Sequence, residues 1–132
     1  MTTTNQRFRF TERDYRRLTG VQWQLVQVME VAISLSPIQF MIVEGLRTLE
    51  QQRAYVAKGA STTMNSRHLT GHAVDIAPII DGKIRWDWPL YHQIAPVIKG
   101  VAQDLSIAIV WGGDWKRFPD GPHFELDRRV YP

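Results

Sequence analysis

The chain has 132 residues, 44% of them apolar and 22% charged, with nine Gly, seven Pro and no Cys. That length fits one domain with a self-sufficient core, and the composition excludes disorder, collagen-like repeats and low-complexity linkers. Without Cys there are no disulfides, thiolate zinc fingers or cysteine nucleophiles, so a transition metal would need His and carboxylate; the net charge of +3 leans mildly towards anionic partners such as nucleic acid or a bacterial wall.

No apolar run reaches the ~20 residues of a transmembrane helix, and the opening MTTTNQRFRFTERDYRR lacks the apolar block of a secretory signal. The expectation is cytoplasmic synthesis with no integral membrane segment. Along the chain, Leu18, Val21, Leu25, Val28, Met29, Ala32 and Leu35 recur at helical spacing, and Ser36-Pro37 ends that helix. Gln39 to Glu44 reads as a strand, rich in β-branched residues and bounded by Pro37 and Gly45, with Arg47 in the turn that follows. Thr48-x-x-Gln51 has capping-box form and opens a second helix over Leu49 to Lys58, stopped at Gly59.

Ser61 to Gly71 is a polar loop, after which Ala73 to Ile80 reads as a strand. Asp81-Gly82 is a hairpin signal that makes Ile79 to Trp86 a short β-ribbon. Tyr91 to Leu105 carries apolar residues at helical spacing, with Pro96 in its first turns. Ile107 to Trp111 then reads as a strand, Gly112-Gly113 as a break, and Phe124 to Leu126 as a closing strand. The expected architecture is a single α+β domain over 1–132: a small, mostly antiparallel sheet with about three helices.

Four His are present: His68, His72, His92 and His123. Asp75 is unusual, a carboxylate inside an apolar strand on the face of the small residues Ala73 and Ala77, and a cation would satisfy it. His68 lies seven residues before it in a loop. His123 precedes Phe124-Glu125-Leu126, sharing a face with Glu125 while Phe124 and Leu126 turn to the core. His68, Asp75 and His123 thus make a three-ligand zinc set with an open position, cancelling one of the two metal charges and preserving Lewis acidity. The pair His68 and His72 has the spacing of a helical zinc motif, but Leu69 stands where that motif carries Glu and Thr70-Gly71 disfavours a helix. His72 is read as a flanking polar residue. Asp120, separated from His123 by Gly121-Pro122, is the candidate base, and Arg47 the candidate partner of an oxyanion or substrate carboxylate.

These residues resemble the peptidase M15 group, zinc D,D- and L,D-peptidases that cut bacterial wall peptides. Its hallmark Ser-x-His-x-x-Gly-x-Ala-x-Asp is matched by Ser66, His68, Gly71, Ala73 and Asp75. An acid shortly before the last His appears in Asp120-Gly121-Pro122-His123. Glu44-Gly45-Leu46-Arg47-Thr48 with Gln51 or Gln52 is similar to the group's Gly-x-Arg segment, and Trp111-Gly112-Gly113-Asp114-Trp115 to the stretch before its final ligand. The resemblance implies the M15 fold, with Zn2+ on His68, Asp75 and His123, Asp120 as general base, Arg47 holding oxyanion or substrate, and Ser66 holding the peptide. Where some relatives have Glu, the acid here is Asp, whose shorter reach leaves the position of the attacking water open.

The short form, with no wall-binding module expected, resembles phage endolysins of the L-alanyl-D-glutamate endopeptidase kind. It implies a monomer that acts on the peptidoglycan stem peptide and reaches the wall after holin release, lysing the bacterial host. A D,D-carboxypeptidase releasing D-alanine from the same site is the nearest rival. The other is a non-enzymatic binder of glycan or nucleic acid, using Arg7, Arg9, Arg13, Arg16 and Arg17 with the five Trp. Glu12 and Asp14 interrupt that basic run, the Trp residues read as core or interface, and Asp75 would be left unexplained, so no nucleic-acid partner is expected.

Overall fold

In the computed structural model, which describes residues 8–61 and 63–132, four α-helices and five strands are interspersed along the chain. Helix α1 (Glu12–Arg17) and helix α2 (Trp23–Leu35) precede strand β1 (Gln39–Glu44). Helix α3 (Leu49–Ala57), a 3-10 turn over Arg67–Thr70, strand β2 (Ala73–Ile80) and strand β3 (Lys83–Ile84) follow. Helix α4 (Trp88–Asp104), strand β4 (Ile109–Trp111), a second 3-10 turn over Gly112–Asp114 and strand β5 (His123–Leu126) complete the order. The α+β class and small antiparallel sheet match the sequence expectation.

All pairings are antiparallel, in the order β1-β2-β5-β4, with β3 on the far end of β2. The long strand β2 is the hub, pairing β5 through Ala73–Asp75 and β3 through Ile79–Ile80. One face of the sheet presents Phe40, Ile42, Val74, Ile76, Phe124 and Leu126 to the core, where Leu25, Val28 and Met29 of α2 and Ile94 and Ile98 of α4 cover it. Period-two alternation sends Ala73, Asp75, His123 and Glu125 to the other face. Polar chemistry is thereby held on a rigid strand pair.

Several boundaries differ from the sequence reading. The helix expected from Leu18 begins at Trp23, because Gly20 takes a positive φ of 84° and the amide of Gln22 donates to the carbonyl of Gly71. Leu18 and Val21 are buried from a turn instead. The short α1 was not expected. It is nucleated by a capping box in which Thr11 accepts from the amide of Asp14 and Asp14 accepts from that of Thr11. Of the basic run at the start of the chain, Arg17 donates to the carbonyl of Ile42, and Arg7 lies outside the described residues.

The β-ribbon return stops at Ile84 rather than Trp86, since Asp87 already stands at the N-cap position of α4. Its turn has Asp81 and Gly82 both at positive φ, the geometry that Asp-Gly favours. Helix α4 starts at Trp88, which leaves Pro96 in mid-helix on the exposed face, where water can satisfy the carbonyl a turn earlier. Strand β4 starts at Ile109, because the amide of Ile107 ties back to Ala102. Of the five Trp, Trp111 joins the core, whereas Trp23, Trp86, Trp88 and Trp115 remain exposed.

Candidate metal centre and active-site cleft

The site is assembled where β2 meets β5. Their register sets Asp75 opposite His123, so two residues 48 positions apart become neighbours through backbone pairing. His68 arrives from the 3-10 turn. Ser66 caps that turn by accepting from the amide of His68, and Gly71 closes it in the left-handed region at φ 74°. A Cβ on Gly71 would fall 2.3 Å from the carbonyl oxygen of Gly20, so both backbone conformation and space require glycine there. Next to it, Gly45 passes so close to the carbonyl of Arg17 that it too has no room for a side chain. The Gly45 carbonyl accepts from His68 Nδ1 at 2.8 Å, and the Arg47 amide donates to the His68 carbonyl at 2.9 Å.

His68 Nε2 and His123 Nδ1 each lie 3.1 Å from Asp75 Oδ1. One ligand atom from each of His68, Asp75 and His123 falls within 4.8 Å of the others. The opposite ring nitrogens are already occupied, His68 Nδ1 by the Gly45 carbonyl and His123 Nε2 by Glu125, to which it donates at 2.8 Å. This leaves one nitrogen of each imidazole aimed at a shared carboxylate. Outer partners of this kind fix the ring orientation and tautomer of metal-binding His. Two imidazoles and one carboxylate suit Zn2+, and the residues present fit such an ion. His72 stays outside the cluster, its Nδ1 2.6 Å from Thr70 Oγ1.

The electrostatics follow from this crowding. Burial opposes ionisation of Asp75, yet hydrogen bonds from His123 and His68 win and hold its carboxyl well below the usual range. Burial also works against a charged His123, but its bonds to Asp75 and Glu125 push it up to about 9 in the metal-free protein. Asp120 is shifted upward, first by burial and then by the charge of Asp75, while His123, His68 and Arg47 pull the other way.

A cleft of about 420 Å³ opens over these groups, and Arg47, Ser66, His68, Asp75, Asp120 and His123 all line it. Asp120 is delivered by a turn in which its amide donates to the Gly112 carbonyl and its carbonyl accepts from the His123 amide. The indole of Trp111 pins the same turn by donating to the carbonyl of Gly121 at 2.7 Å. Arg47 is held by Glu44 and donates to Gln52 Oε1 at 2.6 Å, while its guanidinium rests 4.4 Å from the Tyr55 ring centre. A bulge between Ile42 and Glu44 puts Glu44 opposite Asp75, and Tyr55 donates to the same carboxylate.

Three contributors carried no assigned role in the sequence reading. Glu125 is buried beside His123, and its position two residues along the same strand was the available signal. Gln52 is fully buried and bridges Arg47 to Ser61 in the loop above the cleft, a role that only the phase set by the Thr48 cap hints at. Trp115 stands 5.1 Å from the His123 ring and forms part of the cleft wall, a contact that required the tertiary fold.

The model of the family described as phage L-alanyl-D-glutamate peptidase matches residues 6–131. The L-alanyl-D-glutamate peptidase of Escherichia phage T5 is 34% identical over 128 residues, covering 94% of this chain and 93% of that protein. That of Listeria phage A118 is 43% identical over 94 residues, 71% of this chain and 32% of that protein. The crystal structure of the Serratia marcescens L-Ala D-Glu endopeptidase ChiX superposes with a TM-score of 0.89 at 45% identity, covering 95% of this chain and 94% of that one. The vancomycin-resistance D,D-dipeptidase VanXYg, with a TM-score of 0.55 at 20% identity over 80% of this chain and 50% of its own, shares the fold. With the family model matching residues 6–131 and a relative 34% identical over 94% of the chain, this chain belongs to the phage L-alanyl-D-glutamate peptidase family.

Proposed function

We propose that the chain is a zinc-dependent endopeptidase of the bacterial wall that hydrolyses the L-alanyl-D-glutamate bond of the peptidoglycan stem peptide. The observation that carries this reading is one juxtaposition: His68, Asp75 and His123 within ligating reach of one another in a cleft that also holds Asp120 and Arg47. The names of the phage T5 relative and of ChiX supply the bond. The Bacillus subtilis (strain 168) relative CwlK, 29% identical over 116 residues, is named a peptidoglycan L-alanyl-D-glutamate endopeptidase and supplies the polymer.

His68 Nε2, an oxygen of Asp75 and His123 Nδ1 would hold the ion. When bound, it supplies Lewis acidity, which acidifies water and polarises a carbonyl. The Gly45 carbonyl and Glu125 keep both imidazoles turned inward and limit their reorganisation. Asp120 takes a proton as water adds to the scissile carbonyl carbon, and returns it to the departing amine as the C–N bond breaks. Its upward-shifted pKa suits that exchange, since a base works best when its pKa approaches the operating pH. Arg47, fixed by Glu44 and Gln52, faces the cleft as a preorganised donor for the oxygen that becomes negative. Ser66 lines the same wall beside the path of the peptide.

The corresponding biology is a monomeric phage endolysin, made in the host cytoplasm and released to the wall by a holin. None of the helices is long and apolar enough to cross a membrane, among the described residues. Digestion of purified peptidoglycan tests the reading. Mass analysis is expected to show fragments with a new amino-terminal D-glutamate, lost on chelation and restored by Zn2+. Release of free D-alanine alone would transfer the assignment to a carboxypeptidase, and intact peptidoglycan would overturn it.

A further inference from the structure

Three arginines line the cleft: Arg47, Arg67 and Arg128. Two of them are already committed. The Arg47 side chain is only 10% exposed, paired with Glu44 and bonded to Gln52. Arg67 is buried and turns its Nη2 towards the carbonyls of Leu126 and Tyr131. Arg128 differs, with 54% of its side chain in solvent. Its Nη2 donates to the Asn65 carbonyl at 3.3 Å and its Nε lies 3.8 Å from Glu125 Oε2. These contacts orient the guanidinium without neutralising it, because Glu125 also accepts from His123 at 2.8 Å.

The position is chemically specific. Glu125 bonds the His123 nitrogen opposite the one facing Asp75, so Arg128 sits one imidazole ring and one carboxylate away from the metal-binding atoms. That path of contacts is no longer than about three residues of extended peptide. A glutamate within a peptide spends its amine and one carboxyl on the chain and keeps the other as a free carboxylate. Arg presents a planar fork matched to such a group.

We propose that Arg128 is a specificity-determining residue that binds the free carboxylate of the substrate glutamate flanking the scissile bond. The assignment rests on the endopeptidase reading above, and it separates two tasks: Arg47 serves the reacting carbonyl and Arg128 reads the neighbouring residue.

The test uses the zinc-loaded full chain and two synthetic stem peptides, one with that glutamate carboxylate free and one with it converted to the amide. The wild type is expected to favour the acid peptide in kcat/KM by about ten- to hundredfold, the factor carried by a charge-assisted hydrogen bond. In Arg128→Gln the preference collapses, the loss falling on the acid peptide and appearing in KM rather than kcat, with zinc content and melting temperature retained. Arg128→Lys recovers part of the preference, having charge without the fork. Equal cleavage of both peptides by the wild type, or an Arg128→Gln variant that keeps the preference, overturns the assignment and leaves the peptidase standing. Failure of the wild type to cut either peptide overturns both.

Discussion

Asp120 and the three candidate metal ligands illustrate what single positions reveal. Asp75 stood out because an apolar strand rarely carries a carboxylate without a partner, and the structure supplies two, His68 and His123. Asp120 was marked only by its proximity to His123, and the fold places it in the same half-buried cleft. Replacing Asp120 by Ala is expected to lower kcat at least about a hundredfold while zinc content stays at the wild-type level. Rate and metal analysis on one preparation check this, and undiminished turnover removes Asp120 from the mechanism. The supporting residues were harder to read. Glu125 looks like an ordinary strand acid until its bond to His123 is seen, and the sequence does not choose between Gln51 and Gln52 as the buried partner of Arg47.

At the scale of elements, strand β1, helix α3 and strand β2 follow local pattern and cap closely, and their extents were legible. Helix α1 was not, since six residues carry too little periodicity; its value lies in tertiary contacts, with Asp14 accepting from the amide of Ile42 and Arg17 donating to that residue's carbonyl. Those bonds occupy the outer edge of β1, a strand edge that would otherwise stay open to pairing. The Leu18 to Leu35 periodicity misled because buried residues before and after a turn can continue a helical spacing by coincidence. Gly71 links this turn to the metal site. Gly71→Ala is expected to cost about 1–2 kcal/mol from the left-handed backbone alone, and more from the clash with the Gly20 carbonyl. Denaturant unfolding and metal content should fall together; wild-type values for both would show that the His68 turn does not depend on this glycine.

For the molecule as a whole, the sequence names the candidate ligands but not their meeting place. His68, Asp75 and His123 converge because β2 and β5 pair in one register, and strand pairing over 48 residues leaves no local trace. The fold divides its labour between the faces of one sheet, with the core beneath fixing the chemistry above. Metal affinity and protonation are consequently coupled: in the metal-free protein His123 is held near 9, so below that pH an imidazolium must release its proton before it can ligate. The most direct measurement is a calorimetric titration of zinc into the metal-free chain between about pH 6 and 8. One ion per chain should bind, with proton release and an apparent affinity rising about tenfold per pH unit, and His68→Ala should abolish it. Absence of binding by the wild type, or full binding by His68→Ala, would contradict a centre built from these three side chains.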